Sequence, residues 1–144
     1  MNEAHLVLIG KGEMEEEIKI LVERKGIQKA VTFMGIRDDV YRLYQGMDLL
    51  LFPSLFEGLP VVLVEAQASD LSCVISDTIS KEAILTDRVC VKSLNSDVEL
   101  WAEKCLEILQ KSDNREDKTI EIRKAKYDIS DLAKSLKQYY YKEG

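Results

Sequence analysis

Apolar positions along the 144-residue chain follow two rhythms. Short, nearly continuous runs at 5–9 (HLVLI), 30–33 (AVTF), 48–52 (DLLLF), 73–75 (CVI) and 89–91 (VCV) have the pattern of strands buried on both faces. The longer stretches between and after them show helical spacing. Residues 13–25 bring Met14, Ile18, Leu21, Val22 and Lys25 near one face, with acids in the first turn and Gly26 just past the end, which suits the helix dipole and a C-terminal stop. Residues 38–44 predict a short helix with Val40, Leu43 and Tyr44 inward, and 96–110, 116–126 and 129–141 predict three more, with the charged linker KSDNREDK at 111–118. Strand and helix alternating in this way predict an α/β fold with a doubly wound, mostly parallel, Rossmann-like sheet. One domain over 1–144 is expected, a sheet region at 5–92 followed by C-terminal helices at 96–141.

The stretch LFPSLFEGLPVVLVEAQAS at 51–69 is ambiguous by propensity, because Val61, Val62, Leu63 and Val64 are strand formers. It continues through Glu65, Ala66, Gln67 and Ala68, so that Val61, Val64, Glu65 and Ala68 share a face at helical spacing. A buried helix over 59–69 is predicted, with Pro60 at its first position and Gly58 allowing the bend before it. Glu57 then precedes the helix and Glu65 sits on its second turn. A carboxylate among valines and alanines is costly to bury alone. Glu65 must therefore reach solvent, be satisfied by backbone N–H groups, or await a hydroxyl-rich ligand.

Composition narrows the function. The net charge of −6 argues against a nucleic-acid partner, and Glu15, Glu16 and Glu17 read as a solvated helix face. Cys73, Cys90 and Cys105 lack the spacing of a metal site or a disulfide framework and read as reduced thiols. The most apolar region, 47–66, is interrupted by Asp48, Pro53, Glu57, Gly58 and Pro60, and the start has no basic segment followed by an apolar one, so neither a transmembrane segment nor a signal peptide is expected and a cytoplasmic location is. Ligands on a doubly wound sheet bind at the carboxyl ends of the strands, where the loops 10–13, 34–39 and 53–60 fall. Gly10-Lys11-Gly12 suggests a dinucleotide turn, but the third glycine would fall at Glu15 and no acid ends the next strand. A tight turn remains, with or without a ligand near it. His5 reads as a strand-start residue, and Trp101, Tyr139, Tyr140 and Tyr141 read as packing.

The run LLLFPSLFEGLPVVLVEAQAS closely resembles the nucleotide-sugar-binding, carboxy-terminal domain of family 4 (group 1) glycosyltransferases of the GT-B fold, whose hallmark is E-x7-E after a strand ending in Pro-Ser; Glu57 and Glu65 match it. The order of elements from HLVLIGKGE to LLLFPS, and then CVISDTISKEAI, is similar as well. The resemblance implies a retaining transferase that uses a UDP- or GDP-sugar, without metal or other cofactor, in polysaccharide biosynthesis. It implies that Glu65 accepts hydrogen bonds from the ribose hydroxyls, which suit its two acceptor oxygens, and that Glu57 lies at the donor sugar as the catalytic position. Backbone N–H groups of Gly58, Leu59 and Val61 would face the diphosphate or sugar from a helix N-terminus. Gly35 and Ile36 would flank the base, and Gly10, Lys11 and Gly12 would border the nucleotide. A saccharide or lipid-linked saccharide would be the acceptor of the full enzyme, held at the membrane periphery.

Departures from the family pattern generate further expectations. The family's earlier strand and helix, whose Arg and Lys clamp the diphosphate, have no counterpart here, and Lys11 lies in a different element. Weak nucleotide binding and no transfer by this chain alone are therefore expected. Without the family's central first strand, either the remaining strands close to the order 2-1-3-4-5 or a homodimer forms through exposed sheet edges. Asp70 replaces a glycine and is expected to be left-handed, so that Asp70→Gly would stabilise. Asp77, Thr78, Ile79 and Ser80 replace a glycine-rich loop. The alternative is a non-catalytic nucleotide-binding or receiver-like α/β module; a receiver would need acids where Gly10 and Lys11 stand.

Overall fold

Every apolar run forms a strand within two residues of its expected bounds in the computed structural model, which describes residues 4–111 and 114–142. The chain divides into two compact units, Met1–Val40 and Tyr41–Gly144. In the first, β1 (Leu6–Ile9) and β2 (Val31–Gly35) pair in parallel, joined by α1 (Glu15–Arg24). Glu15 and Glu16 in the first turn of α1 hold Lys19, each at 2.8 Å, and Gly26 at φ 66° lets the chain leave the helix. Val22 is the buried residue of α1, whereas Met14 and Leu21, expected inward, are exposed. The imidazole Nε2 of His5 lies 2.8 Å from Thr32 Oγ1, tying the two strand starts.

The second unit begins at α2 (Val40–Leu43), which straddles the boundary, and holds β3 (Leu49–Phe52), α3 (Val61–Ala68), β4 (Ser72–Ser76), β5 (Val89–Lys92), α4 (Val98–Leu109), α5 (Thr119–Lys124) and α6 (Ile129–Lys142). Its three strands are parallel in the order β3-β4-β5. Central β4 has Cys73, Val74 and Ile75 fully buried, which is why that run lacks polar alternation. Burial pushes the Cys73 thiol up to about 12, so the thiolate needed for reactivity is suppressed. Trp101 packs inward and its indole N–H donates to Ser93 O at 3.1 Å. Tyr139, Tyr140 and Tyr141 are not packed inward; they are exposed on α6, where Tyr139 and Tyr140 meet edge to face with ring centroids 5.8 Å apart and Lys137 lies over the Tyr141 ring.

The closed five-stranded order is not formed: β1 pairs with β2, and β3 with β4, in two separate sheets.

Helix α3 is turned differently from the expected orientation. Leu63, Ala66 and Gln67 are fully buried, while Val61, Val62 and Glu65 face outward. The Gln67 amide explains the rotation, because it replaces missing backbone partners along a loop. Its Nε2 donates to Leu63 O at 3.1 Å and Ala83 O at 2.8 Å, and its Oε1 accepts from Leu85 N at 2.7 Å and Thr86 N at 3.0 Å. A side chain with two donors and two acceptor sites is saturated by this arrangement.

Asp70 follows α3 at φ 50°, with Leu71 N bonded to Ala66 O and Asp70 N to Gln67 O, the Schellman ending that usually selects glycine. The carboxylate is fully buried and takes two bonds from Arg88, both 2.9 Å, and one from Glu116 N at 2.7 Å, with Lys118 at 3.9 Å. Burial raises its pKa, but the Arg88 hydrogen bonds, the Glu116 N–H and the charges of Arg88 and Lys118 together leave it below its ordinary 3.8. Arg88 Nη2 also donates to Asn114 O, and the Arg115 guanidinium donates to Tyr44 O and Met47 O. Residues 114–118, read from sequence as linker, are thus a strap.

The expected gain from Asp70→Gly is therefore reversed. Relief of the left-handed backbone returns about 1 kcal/mol, but leaving the Arg88 guanidinium without its buried partner costs about 3–5 kcal/mol; a net loss of roughly 2–4 kcal/mol is expected in urea unfolding. The acid response follows from the lowered carboxyl. Its contribution is complete above the unfolded pKa, about 3.9, and is lost as pH falls through the lower folded value. The stability difference between the native chain and Asp70→Asn should shrink towards zero as unfolding is measured at successively lower pH below about 4.

Candidate functional site

At the carboxyl ends of β1 and β2 the ladder slips between Leu8 and Ile9, so that Ile9 stands opposite Gly35. The next residue, Gly10, has φ 123° and donates its N–H to Gly35 O at 2.8 Å, while Gly35 has φ 62°. Both backbones lie in regions that L side chains rarely adopt. Lys11 and Gly12 continue as an exposed turn into α1, with Glu15 N bonded to Gly12 O at 3.2 Å. Glu15 is held below the usual carboxylate range by Lys19 first and then, more weakly, by Lys11. Ile36 is 79% exposed, and beside it Arg37 grips Asp39 through two bonds of 2.8 and 2.7 Å. Gly10, Lys11, Gly12, Gly35 and Ile36 thus gather at one strand-end rim of the first unit.

In the second unit the loop after β3 is built on hydrogen bonds from three hydroxyls. Ser54 Oγ lies 2.8 Å from Glu57 Oε1 and 3.1 Å from Phe56 O. A hydroxyl has one hydrogen, and the shorter, charged acceptor takes it more strongly. Ser54 O in turn accepts from Ser76 Oγ and from Thr78 Oγ1, the latter at 2.7 Å. Asp77 fixes the turn after β4 by accepting from Leu94 N at 3.1 Å. Leu55 and Phe56 are 80% and 84% exposed.

Pro60 is the N-cap of α3, at φ −77° and ψ 84°, rather than its first helical residue. That conformation is the centre of an inverse γ-turn, and Val61 N closes it on Leu59 O at 2.9 Å. The Val61 N–H, expected to face a ligand, is therefore engaged within the chain. Gly58, Leu59 and Val62 are the residues of this segment whose N–H groups have no acceptor among the described residues. Glu65 is exposed and makes no hydrogen bond or ion pair among the described residues. Beneath it Tyr44 is buried with its hydroxyl 3.4 Å from Val62 O, and its phenol is pushed up to about 12 by burial first and by the Glu65 charge second. Glu57, Gly58, Leu59 and Glu65 thus occupy one loop and the helix it opens.

Sequence reasoning missed Ser54 as the partner of Glu57, and Ser76 and Thr78 as donors to Ser54 O. The Pro-Ser pair and the Asp77-Thr78 departure were visible, but hydroxyl contacts 22 and 24 residues apart leave no periodic mark.

Residues 1–111 match the family described as glycosyl transferases group 1. The chain is 39% identical over 99 residues to the putative glycosyltransferase EpsF of Bacillus subtilis, covering 68% of this chain and 26% of that protein. It is 31% identical over 72 residues to the Escherichia coli UDP-Gal:alpha-D-GlcNAc-diphosphoundecaprenol alpha-1,3-galactosyltransferase, covering 49% of this chain and 19% of that enzyme. Among solved structures, WaaG, a glycosyltransferase involved in lipopolysaccharide biosynthesis, superimposes with TM-score 0.67 at 24% identity, over 75% of this chain and 30% of that one. Anabaena HepE in complex with UDP does so with TM-score 0.70 at 19% identity, over 99% of this chain and 42% of that one. The chain belongs to the group 1 glycosyltransferases and has the α/β architecture of part of a GT-B structure. It spans about a quarter or less of the length of these two curated relatives. Among the described residues, no helix is long and apolar enough to cross a membrane.

The strand-end rim of the first unit makes a direct prediction. Gly35→Ala would place an L side chain at φ 62° and is expected to lower stability by about 1–2 kcal/mol, read as faster amide exchange across β1 and β2.

Proposed function

We propose that this chain is the donor-binding part of a retaining glycosyltransferase that takes a UDP- or GDP-sugar in glycan or polysaccharide synthesis. The observation that carries the reading is Glu65: a carboxylate on the outward face of α3 without a hydrogen bond or ion pair among the described residues, one helical turn and a loop away from Glu57. Its two oxygens match the two vicinal hydroxyls of a ribose. The N–H groups of Gly58, Leu59 and Val62 lie at the helix N-terminus, whose partial positive charge favours a diphosphate. In this reading Glu57 meets the donor sugar, and the departing diphosphate itself takes the acceptor's proton while the new glycosidic bond forms on the same face. Charge on the leaving group is compensated by backbone dipoles, with no metal or cofactor required.

Relatives support the substrate class. The Escherichia coli relative bears a UDP-Gal donor and a diphosphoundecaprenol-linked acceptor in its name, and HepE was crystallised with UDP and with UDP and glucose. We extend to the complete enzyme a saccharide or lipid-linked saccharide acceptor and a membrane-peripheral location. The 144-residue chain by itself is proposed to bind nucleotide weakly and to transfer no sugar.

Calorimetric titration with UDP and GDP tests the reading. Glu65→Ala should weaken binding by about 1.5–3 kcal/mol, the range of charged hydrogen bonds, with unchanged unfolding; equal affinities of the two proteins would remove Glu65 from the site.

A further inference from the structure

Resting on the donor-binding reading, we propose that Ser54 is the positioning residue for Glu57 and that Ser76 and Thr78 hold Ser54 for that task. The inference begins with proton counting. Ser76 Oγ and Thr78 Oγ1 both reach Ser54 O, and they lie 2.9 Å from each other. Two hydroxyl hydrogens serve three contacts, so two are made at any instant and Ser54 O always keeps at least one donor. The carbonyl keeps a donor while both hydroxyls are present, and removing one of them leaves a single hydrogen to hold it and loosens the loop.

Ser76 is the last residue of β4 and is fully buried. The clamp therefore refers the loop to the most buried strand of the second unit rather than to solvent. With its carbonyl held, Ser54 has its hydroxyl directed by its own backbone towards Glu57 Oε1 at 2.8 Å. An O–H donor on a carboxylate is a charge-assisted bond, and it occupies one oxygen of Glu57 while the second remains available. The carboxylate is set by three hydroxyls in series, and functional groups supported this way hold their geometry better than groups on loops alone.

The experiment uses the 144-residue chain with Ser54→Ala, Thr78→Val and Thr78→Ser, read by limited chymotrypsin cleavage after the exposed Leu55 and Phe56 and by titration with UDP and UDP-galactose, then GDP and GDP-mannose. Cleavage there should quicken in Thr78→Val and match the native chain in Thr78→Ser, which keeps the hydroxyl. Because Glu57 faces the sugar rather than the nucleoside, Ser54→Ala should raise the ratio of nucleotide-sugar Kd to nucleotide Kd by roughly five- to tenfold. An unchanged ratio in Ser54→Ala, or unchanged cleavage in Thr78→Val, overturns the proposal. If the native chain binds none of the four probes, the donor-binding reading fails and the cleavage comparison still decides whether the clamp exists.

Discussion

The buried carboxylate of Asp70 is the constraint around which the second unit is arranged. Taking such a group out of water costs several kcal/mol unless its oxygens are satisfied, and its partners come from far along the chain: Arg88 from the approach to β5, Glu116 N and Lys118 from the strap. Arg88 O also accepts from Cys73 N at 2.8 Å in β4. One carboxylate therefore joins the end of α3, central β4, the approach to β5 and the strap. With its C-terminal end pinned and Gln67 bonded to Ala83, Leu85 and Thr86, α3 has one rotation about its axis. That rotation puts Glu65 outside.

Much of this was written in the apolar rhythm. Strand bounds and the helical reading of 61–68 against its valines followed from local pattern, because burial of a parallel strand is a short-range event, whereas the left-handed Asp70 followed from the resemblance that expects glycine at that helix end. The facing of α3 did not follow. Its residues are so uniformly apolar that no stripe marks the inner side, and the deciding residue was a polar one, Gln67, whose partners lie 16 to 19 positions away. The role of 114–118 was hidden for the same reason: charged residues in a row look solvated until their acceptors, Tyr44 O and Met47 O, are known.

At the site the division was similar. Glu57 and Glu65 were legible because their spacing is a motif. The loss of the Val61 N–H was not, since it depends on the ψ of Pro60, which the ring does not fix. Asp70 combines a left-handed backbone with a buried ion pair, and Thr78 sends its hydroxyl to a neighbouring loop.

Pro53 and Pro60 bracket the loop that carries Ser54, Glu57, Gly58 and Leu59. Each ring restricts its own φ and the conformations of the residue before it in the unfolded chain as well as in the folded one. Ordering this loop therefore forfeits less conformational entropy than ordering an unrestricted segment of equal length. The segment that must present a carboxylate and backbone N–H groups in fixed directions is already narrowed in the disordered polypeptide, and less of its arrangement has to be imposed by whatever molecule occupies it.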